Sequence, residues 1–265
     1  MYTSFQLTKK YLRYYFTASN GKGHGVHSPF VFDFIKNVLR DKRKYEYYQV
    51  IEKGRQQLLK QKGSIEVQDL GAGSSVIKTN KRVVADIAKS SLKPAKYARL
   101  LYRIVKYYKP VTILELGTSF GITTSYLAAA NPDGKVYTIE GSPAIADIAR
   151  RTFSRVGLSN VELSEGNFDH VLPEFLTKAG KIGLAFIDGN HRKEPTLAYF
   201  AQLLNNSTPS SILVFDDIHW SDDMEQAWDI IQQHPAVTLS IDLFFIGIVF
   251  FNADINHKQH FTIRF

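Results

Sequence analysis

The stretch Val111–Glu140, VTILELGTSFGITTSYLAAANPDGKVYTIE, decides the fold. Its first six residues are an apolar run broken only by Thr112 and Glu115, the reading of a buried strand. Gly117 to Gly121 form a glycine turn, Ile122 to Ala130 a helix, Asn131-Pro132-Asp133-Gly134 a second turn, and a further strand ends in Glu140. Strand, helix and strand in this order predict a βαβ unit opening a parallel sheet. In such sheets ligands bind beyond the carboxyl ends of the strands, where Gly117, Gly121, Glu115 and Glu140 all fall.

The spacing narrows the ligand. A dinucleotide site calls for G-x-G-x-x-G, so that a pyrophosphate rests on a helix N-terminus. Here the pattern is E-L-G-T-S-F-G, with Thr118 and Ser119 between the glycines, and a carboxylate at 115 is a poor neighbour for a pyrophosphate. It suits a ligand carrying an amine and a sulfonium. Glu140 is placed to accept both hydrogen bonds of a ribose diol. ELGTSFGITTSYLA followed by VYTIE resembles the first two motifs of class I S-adenosylmethionine-dependent methyltransferases, the catechol and caffeoyl-CoA O-methyltransferase branch above all. The resemblance covers about residues 95–252.

The resemblance implies an α/β fold: a Rossmann-like, seven-stranded mixed sheet, mostly parallel with its last strands antiparallel, helices on both faces and a helical cap in front. It implies S-adenosyl-L-methionine as cofactor, held by Glu115, Gly117, Thr118, Ser119, Gly121, Thr123, Glu140 and Gly141. Asn167 and Phe168, in the loop after a third strand at Val161–Leu163, would border the adenine, and Asp188 would also lie at the cofactor.

Two further apolar strands, Ile182–Ile187 and Ile212–Phe215, end in Asp188 and in Asp216-Asp217. Three acids at one edge repel unless a cation or protons neutralise them. An oxygen-only set suits Mg²⁺, Ca²⁺ or Mn²⁺. Metal-dependent O-methyltransferases resemble this arrangement but carry Asp-Asn where this chain has Asp216-Asp217. His191 stands where those families have a lysine base, and an imidazole takes a hydroxyl proton near neutral pH. The expected catalytic pair is therefore His191 and Asp188, the expected metal ligands Asp188, Asp216 and Asp217, and the expected acceptor contacts His219 and Trp220.

The net charge of +8 conceals a division: residues 1–110 hold 23 Lys+Arg against 7 Asp+Glu, +16, and the remainder 10 against 18, −8. The boundary expected from composition and motifs is a basic, mainly helical cap over 1–93 and a methyltransferase domain over 94–265. Solvated helix faces that balance an acidic catalytic half are the favoured reading of the basic half, ahead of a grip on an anionic surface or nucleic acid. Within it, a helix over 1–19 would pack through a stripe of Phe5, Leu12, Tyr15 and Phe16. Ser28-Pro29 would start a helix carrying Phe30, Phe32, Phe34 and Val38. His24 and His27 flank Gly25-Val26, without a third ligand nearby. Asp69–Ser74, DLGAGS, imitates the glycine motif, but its preceding strand is weak and no clear helix follows, so it reads as a cap loop.

Without cysteines, disulfides and thiolate chemistry are excluded. The longest apolar run, Leu243–Phe251, is too short to span a bilayer, and MYTSFQLTKKYLRYYF lacks the apolar core of a secretory leader. A cytoplasmic protein is the default. The expected partner is a small-molecule acceptor, with an anionic one favoured by the basic cap. An RNA methyltransferase and a catalytically silent cofactor-binding module are the competing readings, and self-association into a homo-oligomer stays open.

Overall fold

The computed structural model describes residues 1–19, 21, 23, 27–68 and 80–265. His24 and the Asp69–Ser74 loop lie outside the described residues. Along the chain come α1 (Ser4–Thr17), α2 (Pro29–Phe34) running into a π-helical turn at Ile35–Leu39, α3 (Glu46–Lys60), β1 (Ser64–Glu66), β2 (Lys81–Val83), α4 (Val84–Ser91) and α5 (Ala95–Tyr108). Then β3 (Thr112–Leu116), α6 (Ile122–Ala130), β4 (Lys135–Glu140), α7 (Pro143–Val156), β5 (Val161–Glu165) and α8 (Phe168–Ala179) alternate. Alternation continues through β6 (Leu184–Ile187), α9 (Lys193–Asn206), β7 (Ile212–Asp216) and α10 (Asp222–Gln233), followed by β8 (Leu239–Asp242), β9 (Ile246–Phe250) and β10 (Gln259–Thr262).

The chain divides into two compact units, one of Met1–Asp41 with Gly180–Phe265, the other of Lys42–Ala179. In the second unit β3, β4 and β5 run parallel, with Leu116 opposite Ile139 and Glu140 opposite Glu165. Ile113, Leu114 and Leu116 are fully buried, as a strand in a parallel sheet requires. All nine residues of α6 are buried, which is why its sequence shows no polar face. α5 follows the amphipathic reading, with Leu100, Leu101, Ile104 and Val105 buried. α7 opens with Pro143 in its first turn and stops at Gly157 in left-handed geometry, φ 78°.

In the other unit the order is β10-β8-β9-β7-β6. β6 and β7 are parallel, β9 is antiparallel to both β7 and β8, and β10 is parallel to β8. The reversal expected of the last strands is thus confined to β9. Among the described residues, strands of α/β type number eight, five here and three in the second unit, against the seven expected; the added one is the edge strand β10.

α1 departs from its sequence reading in which side it buries. Leu7, Tyr11, Tyr14 and Ala18 form the packed side, against Phe244 and Phe245. The Tyr14 hydroxyl donates to the Ile263 carbonyl at 2.5 Å, and Thr3 and Gln6 form a reciprocal capping box. Phe5, Leu12, Tyr15 and Phe16, expected to pack, are exposed. α2 likewise buries Val31 and Phe34 and leaves Phe32 exposed.

Gly247 in β9 lies under the Trp228 indole of α10, and a Cβ built there would sit 2.6 Å from two indole carbons. Both are fully enclosed, so the ring has no room to retreat. Gly247→Ala is expected to destabilise the protein by about 1–3 kcal/mol, the usual cost of overpacking, read as a lower urea midpoint at unchanged slope.

Candidate functional site

The glycine turn of the second unit is fixed by two carboxylates. Gly117 and Thr118 donate their N–H groups to the Ile139 carbonyl at 3.1 and 3.3 Å, which draws the turn against the end of β4. Gly117, Ser119 and Gly121 all have positive φ, 101°, 48° and 76°. At Gly121 a side chain would meet the Phe153 ring, so both backbone geometry and packing demand glycine. Glu140 is half-buried; its Oε2 accepts from the Ser119 N–H at 2.9 Å and its Oε1 from the Ser142 N–H at 3.0 Å. Those two bonds orient the carboxylate, and carboxylate oxygens can accept further bonds.

Glu115 lies deeper than Glu140. It is fully buried, and its Oε2 accepts from Thr124 at 2.5 Å and Thr138 at 2.6 Å, while Thr138 and Thr118 share a 2.6 Å bond. Its Oε1 is buried and has no hydrogen-bond partner among the described residues. Burial pushes its pKa up to about 8, against the two threonine bonds and with help from the Glu140 charge. Glu115 therefore ties the turn to β4 and α6 through three threonines, a role the sequence pattern did not reveal.

Of the other expected cofactor residues, Thr123 is buried in the first turn of α6, and Gly141 is half-buried just after β4. Asn167 caps α8, its side-chain oxygen accepting from the Asp169 N–H at 2.9 Å, and Phe168 begins that helix, half-buried.

In the first unit the parallel register sets Ile187 opposite Phe215, which brings Asp188 and Asp216 to one edge. Asp188, His191 and Asp216 each offer a donor atom, all within 4.8 Å of one another. His191 Nε2 is 3.7 Å from Asp188 Oδ1, an ion-pair distance rather than a hydrogen bond. The two carboxylates are oxygen donors of the kind that fits a divalent cation such as Mg²⁺ or Mn²⁺, and the imidazole stands beside them. Asp217 is not in this group. The chain turns at Asp217 with φ 52°, and its N–H donates to the Phe245 carbonyl at 2.7 Å. The loop after β6 is pinned by Asn190, in left-handed geometry at φ 55°, whose side chain bonds Tyr199 and Arg192.

His219 was expected to meet an acceptor, but both its ring nitrogens are taken: Nδ1 by Glu225 and Nε2 by Asp242, each at 2.8 Å. The ring stacks on Phe244 with centroids 5.1 Å apart. Burial disfavours its charged form, yet the bonds and charges of Asp242 and Glu225 prevail and its pKa is raised. Glu225 also receives Lys10 at 2.8 Å and the Tyr2 hydroxyl at 2.7 Å. Trp220 is half-buried, and its carbonyl accepts from the Tyr2 N–H at 3.1 Å. This network fastens α1 to the turn that follows β7; its members are far apart in sequence, and no local pattern announces them.

Residues 114–218 match the family model Methyltransf_24, a methyltransferase domain. The chain is 33% identical over 108 residues to a catechol O-methyltransferase of Mycobacterium tuberculosis, 40% of this chain and 47% of that protein. It is 30% identical over 111 residues to the O-methyltransferase imqG of Aspergillus flavus, 40% of this chain and 44% of that one. The matches thus span just under half the length of these curated relatives. The fold is shared with TomG of Streptomyces achromogenes, an O-methyltransferase solved with S-adenosylmethionine (TM-score 0.58, 17% identity, 80% of this chain and 92% of that one). It is shared too with an O-methyltransferase of Bacillus cereus solved with S-adenosylhomocysteine (TM-score 0.53, 22% identity, 83% and 97%). The resemblance read from ELGTSFG and VYTIE is borne out, and so is the Rossmann-like fold.

Because the folded pKa of Glu115 lies above its ordinary value, the native state binds more protons than the unfolded chain between about pH 4.5 and 8. Stability should fall as pH rises through that window and level off above it. Glu115→Gln keeps an acceptor for both threonines and removes the charge. The variant is expected to flatten the pH dependence of Tm and to gain on the wild type steadily towards pH 8, checked by thermal melts across the range.

Proposed function

We propose that the protein is an S-adenosylmethionine-dependent methyltransferase that methylates a hydroxyl group of a small molecule. The observation that carries this reading is the Glu140 carboxylate, oriented by the Ser119 and Ser142 N–H groups at the end of β4, next to the glycine turn. A ribose diol bonds well to such a group. The turn from Gly117 to Gly121 would let a methionine moiety approach the backbone, and Asn167 and Phe168 would border the adenine. Catechol O-methyltransferase and O-methyltransferase imqG, the relatives named above, act in name on oxygen.

The acceptor chemistry would fall to the acidic group. Asp188 and Asp216 would hold a divalent cation, which lowers the pKa of a bound hydroxyl. His191, 3.7 Å from Asp188, would accept the hydroxyl proton. S-adenosylmethionine, when bound, would supply the methyl group to the acceptor oxygen and leave as the neutral thioether. No group of the protein takes part covalently, so positioning supplies most of the rate. A surplus of Lys and Arg over residues 1–110 favours an anionic acceptor.

Calorimetric titration with S-adenosylmethionine and S-adenosylhomocysteine, with and without Mg²⁺, tests the reading. Both ligands are expected to bind, and Glu140→Ala should weaken them about 10- to 100-fold, the usual cost of losing charge-assisted bonds. His191→Ala should leave cofactor affinity unchanged and lower turnover of a catechol-type acceptor by about 10²–10⁴-fold. Failure of both ligands to bind would overturn the proposal, and binding without turnover of any hydroxyl acceptor would leave a silent binding module in its place.

A further inference from the structure

The first 32 residues contain four basic residues and no acid, the first carboxylate being Asp33. α1 lies within this run and has two apolar sides. One is consumed by Leu7, Tyr11 and Tyr14 against Phe244 and Phe245. The other is bare: Phe5 is 80% exposed, Phe16 76%, Leu12 49% and Tyr15 42%. Phe5, Leu12 and Phe16 are spaced i, i+7 and i+11, a single stripe along a helix. Lys9 and Arg13, both exposed, alternate with them, and no carboxylate pairs with either among the described residues. The Arg264 guanidinium sits 4.4 Å from the centre of the Tyr15 ring and adds a third cation to the edge of the stripe.

Contiguous exposed aromatic surface on a helix has a binding role more often than scattered single residues do. Charge selects among the occupants. A second copy docked through the same face by two-fold symmetry would bring Lys9 and Arg13 towards their own equivalents, and α1 has no acid to offset them. An anionic bilayer surface meets both halves of the pattern: the aromatic and leucine side chains enter the boundary of the acyl region while the cations stay among the headgroups. We propose that the outer face of α1 docks the protein peripherally on an anionic lipid bilayer. The helix is already formed and held, by Lys10 and Tyr2 on Glu225 and by Tyr14 on Ile263, so docking requires no folding step. No described helix is long and apolar enough to cross a membrane, and the association is with its surface.

The test is cosedimentation of the full chain with vesicles of phosphatidylcholine alone or mixed with phosphatidylglycerol. Binding is expected to the mixed vesicles only and should weaken as salt is added. At about 1 kcal/mol per basic residue near an anionic surface, Lys9→Gln with Arg13→Gln should lower the affinity about 30-fold. Phe5→Ser with Phe16→Ser should abolish binding while circular dichroism and S-adenosylmethionine titration stay as in the wild type, since both residues are exposed in the structure. Absence of binding to the mixed vesicles overturns the proposal, as does equal binding by either double variant. A dimer in analytical ultracentrifugation that Phe5→Ser with Phe16→Ser dissociates, or salt-sensitive binding to RNA without vesicle binding, assigns the face to another occupant and overturns it too.

Discussion

Parallel pairing in register is the constraint on which the rest of the structure depends. In a parallel pair the carboxyl ends lie side by side, so whatever follows each strand is delivered to one edge. Between β3 and β4 the register sets Leu116 opposite Ile139, and the residues beyond, the glycine turn and Glu140, become neighbours. Between β6 and β7 it sets Ile187 opposite Phe215 and makes neighbours of Asp188 and Asp216. Within each unit, side chains distant in sequence are thus collected by backbone hydrogen bonding alone. A shift of one residue in either pairing would send these side chains to the opposite face of the sheet.

Collecting acids has a cost, and the two units meet it in different ways. Glu115 is enclosed where charge is poorly tolerated, and it responds by holding its proton towards higher pH while three threonines absorb its hydrogen bonding. Glu225 and Asp242 are offset by partners instead: His219, whose pKa they raise, bonds both, and the Lys10 cation reaches Glu225 from α1. Such an arrangement adds little net stability for its burial, since desolvation cancels much of the attraction. What it adds is registry, because α1 can satisfy Glu225 in one position only. The turn from Asp217 to Trp220 is thereby held from two sides, by Phe245 on the Asp217 N–H and by Tyr2 on the Trp220 carbonyl.

The parts of this structure that were legible in the sequence share one property: they are written locally. The βαβ unit at Val111–Glu140, the strands before Asp188 and Asp216 and the amphipathic face of α5 follow from periodicity and turn residues within short windows, and the structure has them. The role of His219 was not legible, because Asp242 is 23 residues away and a histidine beside a cluster of acids reads as readily as an acceptor contact. The enclosure of Glu115 was not legible for the related reason that position on a strand does not tell which carboxylates will be buried. Asp217 was grouped with Asp216 by adjacency, whereas a left-handed turn between them separates their paths.

α1 shows most plainly why a hydrophobic stripe is an incomplete signal. Its sequence contains two stripes, Leu7-Tyr11-Tyr14 and Phe5-Leu12-Phe16, and the second has the larger apolar surface. Amphipathicity alone would bury the second, yet the structure buries the first. The choice is made by polar partners: Tyr14 has a hydroxyl that finds the Ile263 carbonyl, and Lys10, on the flank of that side, finds Glu225. A phenylalanine can offer neither bond, and a buried face that needs hydrogen-bonding ends selects tyrosine and lysine over phenylalanine and leucine. The face with more to gain from leaving water is the one left in it, and the cations set along it fix the kind of surface that can relieve the exposure.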